Sequence, residues 1–225
     1  MQLVSLNATD QAQPVRISDR RVDQSAIYKQ PQGEAVWLGA EGLVNDIQID
    51  RKYHGGPDRA ICLYALEHYP HWAAKLGREL QYGAFGENFS STGLLEDEVC
   101  IGDSYRVGEV VVQVSEPRGP CNTLAARWQQ PKLVRWVQQH GSTGFYFRVL
   151  QPGHVRAGDA ITLLARPAHG VTVSDVNQAM YKAKSDLGVI EHALTAPELG
   201  PDWRQKLGER LASRRRKLAR AMAGV

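Results

Sequence analysis

From Met1 to Leu164 the chain is a succession of short apolar and β-branched runs cut by glycine and proline, a texture that restricts its fold more than any other feature. Many short strands with turn residues between them suit a barrel or a sandwich. The pattern predicts strands at Met1–Leu6, Val15–Ile17, Ser25–Lys29, Ala35–Leu38, Asp46–Ile49 and Ile61–Tyr64. Further strands are expected at Gly144–Leu150 and Ala160–Leu164, with a hairpin joining Asp103–Val107 to Val110–Ser115. Leu66–Leu76 reads as a helix with Leu66, Tyr69, Ala73 and Leu76 on one face, and Pro70 is tolerable only in its first turn. Leu133–Gln139 is a second, shorter helix. Gly83–Thr92, rich in Gly, Asn and Ser, is expected to be loop.

After a Pro/Gly linker at Arg166–Gly170 the texture becomes helical. Ser174 is the expected N-cap of a helix through Ala183, followed by helices at Leu187–Leu194 and Pro201–Ala221. The last places Trp203, Leu207, Leu211 and Leu218 on its apolar positions. The expected organisation is a mostly β domain over residues 1–165 and a three-helix domain over 171–225.

Composition removes several classes of function. With 225 residues the chain buries roughly 70% of its unfolded surface and needs no covalent staple. Its three cysteines are odd in number and lack CxxC spacing, which argues against a disulfide framework and a structural zinc site. Cys62 and Cys100 stand in apolar strand-like runs and read as small core residues. No apolar run approaches the ~20 residues that span a bilayer. The start of the chain lacks a charged head followed by an apolar stretch, so a cytoplasmic location and no membrane partner are expected. Neither a P-loop nor GxGxxG is present, which argues against a standard nucleotide or nicotinamide site. Arg166–Val225 holds 11 Lys/Arg against 6 Asp/Glu, a net +5 that leaves −2 for the remainder. The run Arg214–Lys217 has no interleaved aromatics, which argues against nucleic acid.

Four clusters can carry chemistry. Arg51–Arg59 packs Lys52, His54, Gly55, Gly56 and Arg59 into one stretch, with cations suited to phosphate and glycines that let backbone approach a ligand. Taken alone it fits a solvated turn equally well. Gly83–Phe89 places Glu87 and Asn88 between glycine and aromatics, where an acid and an amide can orient polar ring edges; an ordinary glycine-rich loop has the same composition. Lys29 ends a predicted strand and is a weak signal by itself. Pro117-Arg118-Gly119-Pro120-Cys121 is the sharpest. Two prolines fix the loop, while Arg118 and a helical start at Asn122 lower the thiol pKa from about 8.5. Thiolate is the form that attacks electrophiles and binds metals. The pair His68 and His71 resembles metal-ligand spacing without an HExxH pattern and reads as helix surface.

In this order the motifs resemble MOSC-domain proteins, named for the C-terminal domain of molybdenum cofactor sulfurase. They run Lys29; Lys52-Tyr53-His54-Gly55-Gly56-Pro57-Asp58-Arg59-Ala60; Glu67-His68-Tyr69; Phe85-Gly86-Glu87-Asn88; Gly102-Asp103; Pro117-Arg118-Gly119-Pro120-Cys121. The helical tail resembles that of the 6-N-hydroxylaminopurine-resistance (YiiM-type) branch, so the likeness spans nearly the whole chain. The resemblance implies a MOSC-type β-barrel with a small three-helix domain behind it. It implies molybdenum cofactor (molybdopterin), with Cys121 as metal ligand and with Cys121, Glu87 and His54 in catalysis. Lys29, Lys52, His54, Gly55, Gly56, Arg59, Glu87, Asn88, Arg118 and Cys121 are the cofactor-binding set it implies. The activity implied is reduction of N-hydroxylated bases and related compounds, a detoxification; a carrier of the cofactor or its sulfur is the alternative. Electrons then come from an external flavoprotein or iron–sulfur protein. The helical tail is expected to face a partner or a second copy and to stand away from the catalytic pocket.

Overall fold

The structure, a computed structural model, describes residues 1–182 and 186–223; the side chains of Lys52, Tyr53 and Ala223 lie outside that description. In chain order the strands are β1 (Gln2–Ala8), β2 (Gln13–Ser18), β3 (Arg21–Ser25), β4 (Gln30–Pro31), β5 (Val36–Gly39) and β6 (Gly42–Leu43). Helix α1 (Arg51–His54), β7 (Ile61–Ala65), α2 (Tyr69–Leu76), β8 (Phe89–Thr92), β9 (Ser104–Val107) and β10 (Val110–Pro117) follow. Then come α3 (Asn122–Arg127), α4 (Leu133–His140), β11 (Phe145–Gln151), β12 (Gly153–Val155) and β13 (Ile161–Ala165). The tail holds α5 (Val173–Asn177), α6 (Leu187–Ala193) and α7 (Pro201–Ala223).

The main sheet has the order β13-β9-β10-β11-β7-β8-β1-β4, with β7 and β8 as its parallel pair. It closes on itself. Leu3 N–H donates to Asp159 O at 2.9 Å, Gly158 N–H to Leu3 O at 2.7 Å, and Ile161 N–H to Met1 O at 3.0 Å. Closure satisfies backbone groups that an open edge would expose. Inward residues such as Leu3, Leu6, Ile61, Leu63, Phe89, Val107, Val112, Val114, Phe145 and Phe147 are fully buried inside the barrel. Each such side chain contributes roughly 1.5–3 kcal/mol by leaving water. A second apolar cluster joins Val15, Tyr64, Tyr69, Trp72, Phe85, Leu124, Leu133 and Val137, in which Tyr64 and Phe85 stack with centroids 4.1 Å apart. It draws its members from α2, α3, α4 and the strands they flank. No helix among the described residues is long and apolar enough to cross a membrane.

Four sequence expectations need correction. Phe89–Thr92 is a strand between β7 and β1, not loop; Ser90 and Ser91 hide an alternating signal, and pairing on both sides imposes the conformation. Residues 26–29 and 46–49 are irregular, since β3 ends at Ser25 and the chain then leaves the sheet. The first tail helix is capped by Thr172 rather than Ser174: Thr172 Oγ1 accepts from Asp175 N–H at 3.0 Å and Asp175 returns the bond to Thr172 N–H. A π-helical turn at Gln178–Lys182 follows α5, and Ala183, its expected last residue, lies outside the described residues.

The tail is joined to the barrel through a continuous core. Val171, Val173, Val176, Ile190, Leu199, Trp203 and Leu207 share the barrel's apolar cluster. Ile101 N–H donates to Val171 O and Val173 N–H to Val99 O, both at 2.9 Å. Of the four expected apolar positions on α7, Leu218 is 47% exposed. Gly200 approaches β10 closely: its amide donates to Ser115 O at 3.0 Å, and a Cβ there would stand 2.0 Å from Glu116 Oε2. Gly200→Ala should therefore destabilise the protein by about 1–3 kcal/mol, the usual cost of forcing extra volume into packed structure. Thermal unfolding measures this; an unchanged midpoint would show that the tail is not held this tightly against β10.

Candidate functional site

A pocket of about 140 Å³ opens at one end of the barrel. Its wall comes from segments far apart in sequence. Residues 24–29 run from the end of β3 into the segment after it, and residues 46–50 lead into α1, whose last residue is His54. Arg59 ends a 3₁₀ turn at Pro57–Arg59, Cys62 lies on β7, and Gly86 and Asn88 precede β8. Arg118 and Cys121 follow β10, and Tyr146 comes from β11. The helix that starts after Cys121 secures two of these walls. Arg127 Nη1 donates to the carbonyls of Ile27 and Gly83, the latter at 2.7 Å, and Trp128 Nε1 donates to Ala84 O at 3.0 Å.

Cys121 is the electrostatic centre. Burial alone would raise its pKa, but a hydrogen bond from His54, the charges of Arg118 and His54, and the Leu124 amide together bring it down to about 6. At neutral pH the sulfur is a thiolate. Arg118 is 5% exposed, and no carboxylate pairs with it among the described residues. Desolvation works against its charge, yet Cys62, Tyr146, Cys121 and Glu87 hold its pKa above the usual value. A buried guanidinium without a carboxylate is costly unless an anion shares its surroundings.

Two of the other expected cations, Lys29 and Arg59, are already paired. Lys29 forms a buried ion pair with Asp46, whose carboxylate also accepts from Thr9 N–H at 3.0 Å and from Asn88 Nδ2 at 2.9 Å. Arg59 bonds Glu116 and reaches Asp202 on α7 at 2.7 Å. Asn88 Oδ1 accepts from Cys62 N–H at 3.2 Å, so this amide fixes β7, β1 and Asp46 together.

Lys29, His54, Arg59, Asn88, Arg118 and Cys121 thus meet in one cavity. Glu87 does not: it is fully buried and accepts from Tyr69 Oη, Gly83 N–H, Phe85 N–H and Ser90 Oγ. With its acceptor capacity taken by four donors it shapes the loop behind the pocket, which corrects its expected catalytic place. Gly55 and Gly56 form the turn after α1 and do not line the cavity. The side chain of Lys52 lies outside the described residues. His68 bonds Glu96 at 2.7 Å and His71 stacks on His140, and no group of three or more His, Cys, Asp or Glu among the described residues can hold a metal ion.

The sequence alone did not single out Asp46 or Tyr146, and it placed Cys62 only in the core. Asp46 carried no motif, and Tyr146 looked like one more aromatic of a strand. Cys62 does lie on a buried strand, but it also lines the pocket, with its thiol pushed up to about 11 chiefly by burial. Nor is the tail remote from the pocket: Met180, Tyr181, Trp203 and Lys206 line a second cleft bounded by Arg59 and Tyr146.

The family model described as "MOSC domain" matches residues 50–162. The chain belongs to the MOSC-domain family. A second model, "YiiM-like, 3-alpha helix domain", matches residues 171–214 and places the chain in the YiiM-type branch. An uncharacterized protein from Bacillus subtilis, YflK, is 45% identical over 83% of this chain and 84% of its own length. A protein of Gibberella moniliformis named "Reductase" is 36% identical over 77% of this chain but only 31% of its own. The crystal structure of YiiM from Geobacillus stearothermophilus superposes with a TM-score of 0.78 at 35% identity, covering 93% of this chain and 98% of that one. The sheet-dominated MOSC architecture with a small helical tail is shared with that structure.

Alkylation by iodoacetamide as a function of pH checks the electrostatics of this MOSC site. Cys121 should react with a midpoint near pH 6, while Cys62 stays unmodified at neutral pH. Removing the His54 ring removes two effects that lower the thiol pKa, so His54→Ala should move the midpoint upward. A midpoint that stays in place would refute the role given to His54.

Proposed function

We propose that this MOSC-domain protein binds molybdenum cofactor through Cys121 and reduces N-hydroxylated bases and related N-hydroxylated compounds. The observation that carries this reading is a thiolate beside a buried guanidinium that has no carboxylate partner among the described residues, in the wall of one pocket. Those residues fit the group: a soft, deprotonated sulfur suits a molybdenum ion, and Arg118 suits the negative charge of a phosphorylated pterin. Cys121 would hold the metal, and Arg118, His54, Lys29, Arg59 and Asn88 would surround the remainder. When bound, the cofactor supplies two-electron chemistry: R–NHOH plus two electrons and two protons gives R–NH2 and water.

The chain's own residues prepare that chemistry in simple ways. His54 and Arg118 keep the Cys121 sulfur anionic. Asp46 and Asn88 hold Lys29 at the wall, so its ammonium is available to an anion only if the anion competes with Asp46. Burial keeps the Tyr146 hydroxyl protonated, a neutral donor at the pocket wall. With no flavin or iron–sulfur motif in this sequence, electrons come from a separate protein. The exposed cations Arg215, Arg216, Lys217 and Arg220 of α7 suit an acidic donor, for which charge acts mainly on association rate.

Molybdenum per chain, measured for protein made in cofactor-competent cells, tests the assignment. Cys121→Ser should lose essentially all metal, while Cys100→Ser retains it. Equal loss in both folded variants would overturn the reading. Metal without amine formation from 6-hydroxylaminopurine and an artificial reductant would instead mark a carrier. Charge reversal at Arg215, Arg216 and Lys217 should slow reduction by a protein donor, more at low salt than at high. Turnover with a small reductant should stay unchanged; if both assays fall together, the tail acts on the site itself.

A further inference from the structure

Residues 141–144 join α4 to β11, and Ser142 and Thr143 within them are buried. Each has its own tether. Tyr64 Oη donates to Ser142 O at 3.1 Å and Trp72 Nε1 to Ser142 Oγ at 3.2 Å. Asn177 Nδ2, from α5, donates to Thr143 Oγ1 at 2.8 Å. Gly144 is held on both sides. Its N–H donates to Glu96 Oε1 at 2.8 Å. Its carbonyl accepts from Thr143 Oγ1 at 2.9 Å and from Arg118 N–H at 3.0 Å. No larger residue fits there: φ is +69°, and a Cβ would stand 2.4 Å from Leu63 O.

The bond to Arg118 has a particular place in the fold. Pro117 pairs with Phe145 in the β10–β11 ladder, and the Arg118 amide adds one more rung. Among the described residues it is the last rung before the chain turns away to Cys121. The point at which the Arg118 side chain leaves the backbone, and so its entry into the pocket, is set by Gly144 O. Glu96 stands at the far end of this chain of bonds, in the turn between β8 and β9 and only 5% exposed. Its carboxylate takes Gly144 N–H on one oxygen and His68 Nε2, at 2.7 Å, on the other. A buried carboxylate needs such partners. Its backbone carbonyl accepts from Ser174 N–H, in α5, at 2.7 Å. The helical tail therefore reaches Gly144 by two routes, through Ser174 to Glu96 and through Asn177 to Thr143.

We infer that Glu96 and Thr143, backed by Asn177, are positioning residues of the Cys121 site: they fix Gly144, and Gly144 fixes where Arg118 enters the pocket beside the sulfur. His68 thereby braces Glu96 instead of serving a ligand. For the anion that Arg118 receives, the inference rests on the cofactor reading; the geometry itself is tested on metal-free protein, so that reading can fail without it. The sign of the effect separates position from charge. Glu96→Ala removes a negative charge, which by itself favours a thiolate. An upward move of the Cys121 midpoint therefore reports a displaced Arg118 guanidinium.

The test follows iodoacetamide alkylation of Cys121 against pH together with hydrogen exchange at the Arg118 amide. In Glu96→Ala that amide should exchange about tenfold faster, because its acceptor is no longer held. A midpoint raised by about one pH unit should slow alkylation at pH 6 about fivefold, since only thiolate reacts. Glu96→Gln keeps an acceptor for Gly144 N–H and should restore both readouts. Thr143→Val, which keeps the shape and removes the hydroxyl, should shift both in the same direction as Glu96→Ala, and it serves if Glu96→Ala does not fold. Val107→Ala, a core truncation away from this path, should leave the midpoint in place. A wild-type midpoint in folded Glu96→Ala or Thr143→Val would overturn the inference. So would a Glu96→Gln midpoint displaced as far as that of Glu96→Ala, or an equal shift in Val107→Ala.

Discussion

The backbone bonds between Met1–Leu3 and Gly158–Ile161 close the main sheet, and nearly everything else follows from that closure. They join the first strand to the start of the last, across most of the chain. Once the ring is shut, the ends of β3, β7, β10 and β11 and the approach to β8 are held around one opening. Segments with no helix or strand of their own, such as residues 26–29 and 46–50, then have a fixed frame to cross. An open sheet would leave those segments free to drift apart. It would also leave unpaired N–H and C=O groups along two edges.

Buried charge does the next part of the work. Glu87 gathers four donors and so turns a glycine-rich stretch into a rigid support for Asn88. Asp46 does the same for Lys29 and Asn88 from the other side of the cavity. Arg59 joins a turn, β10 and α7 through Glu116 and Asp202. Each of these charges has left water, and each is stable there because partners were supplied at once. Arg118 is the exception, and its position beside the Cys121 thiolate gives the pocket its chemical character. Among the described residues, charges paired in the frame and the Arg118 guanidinium kept for an anion make a site that is rigid yet receptive.

Much of the barrel was legible along the chain. Val110, Val112 and Val114 alternate with partly exposed residues and point inward as period-two patterning requires. Cys121 stood out because two prolines and an arginine flank it, and these are local features. Ser90 and Ser91 were misread because a strand paired on both sides and packed in a polar setting shows no apolar rhythm. Glu87 differs for a related reason: an acid and an amide between glycine and an aromatic look like ligand groups until their donors are known. The tail helices were visible from their periodicity. Their closeness to the cysteine loop was not, since it arises from Gly200 tucking against Glu116 and from Tyr181 reaching Gly119.

The amino-acid sequence by itself determined the strand-rich architecture, the helical tail and the thiol most disposed to ionise. These depend on hydrophobic period, turn residues and covalent neighbours, all of which act over a few positions. Only the tertiary structure decided which charges remain available to a ligand, because pairing depends on residues such as Lys29 and Asp46, or Arg59 and Asp202, meeting across the fold. It alone placed Cys62 and Tyr146 in the pocket wall and set the helical tail beside it. Desolvation and Coulomb interaction are properties of three-dimensional neighbourhoods, and the order of residues along the chain does not contain those distances.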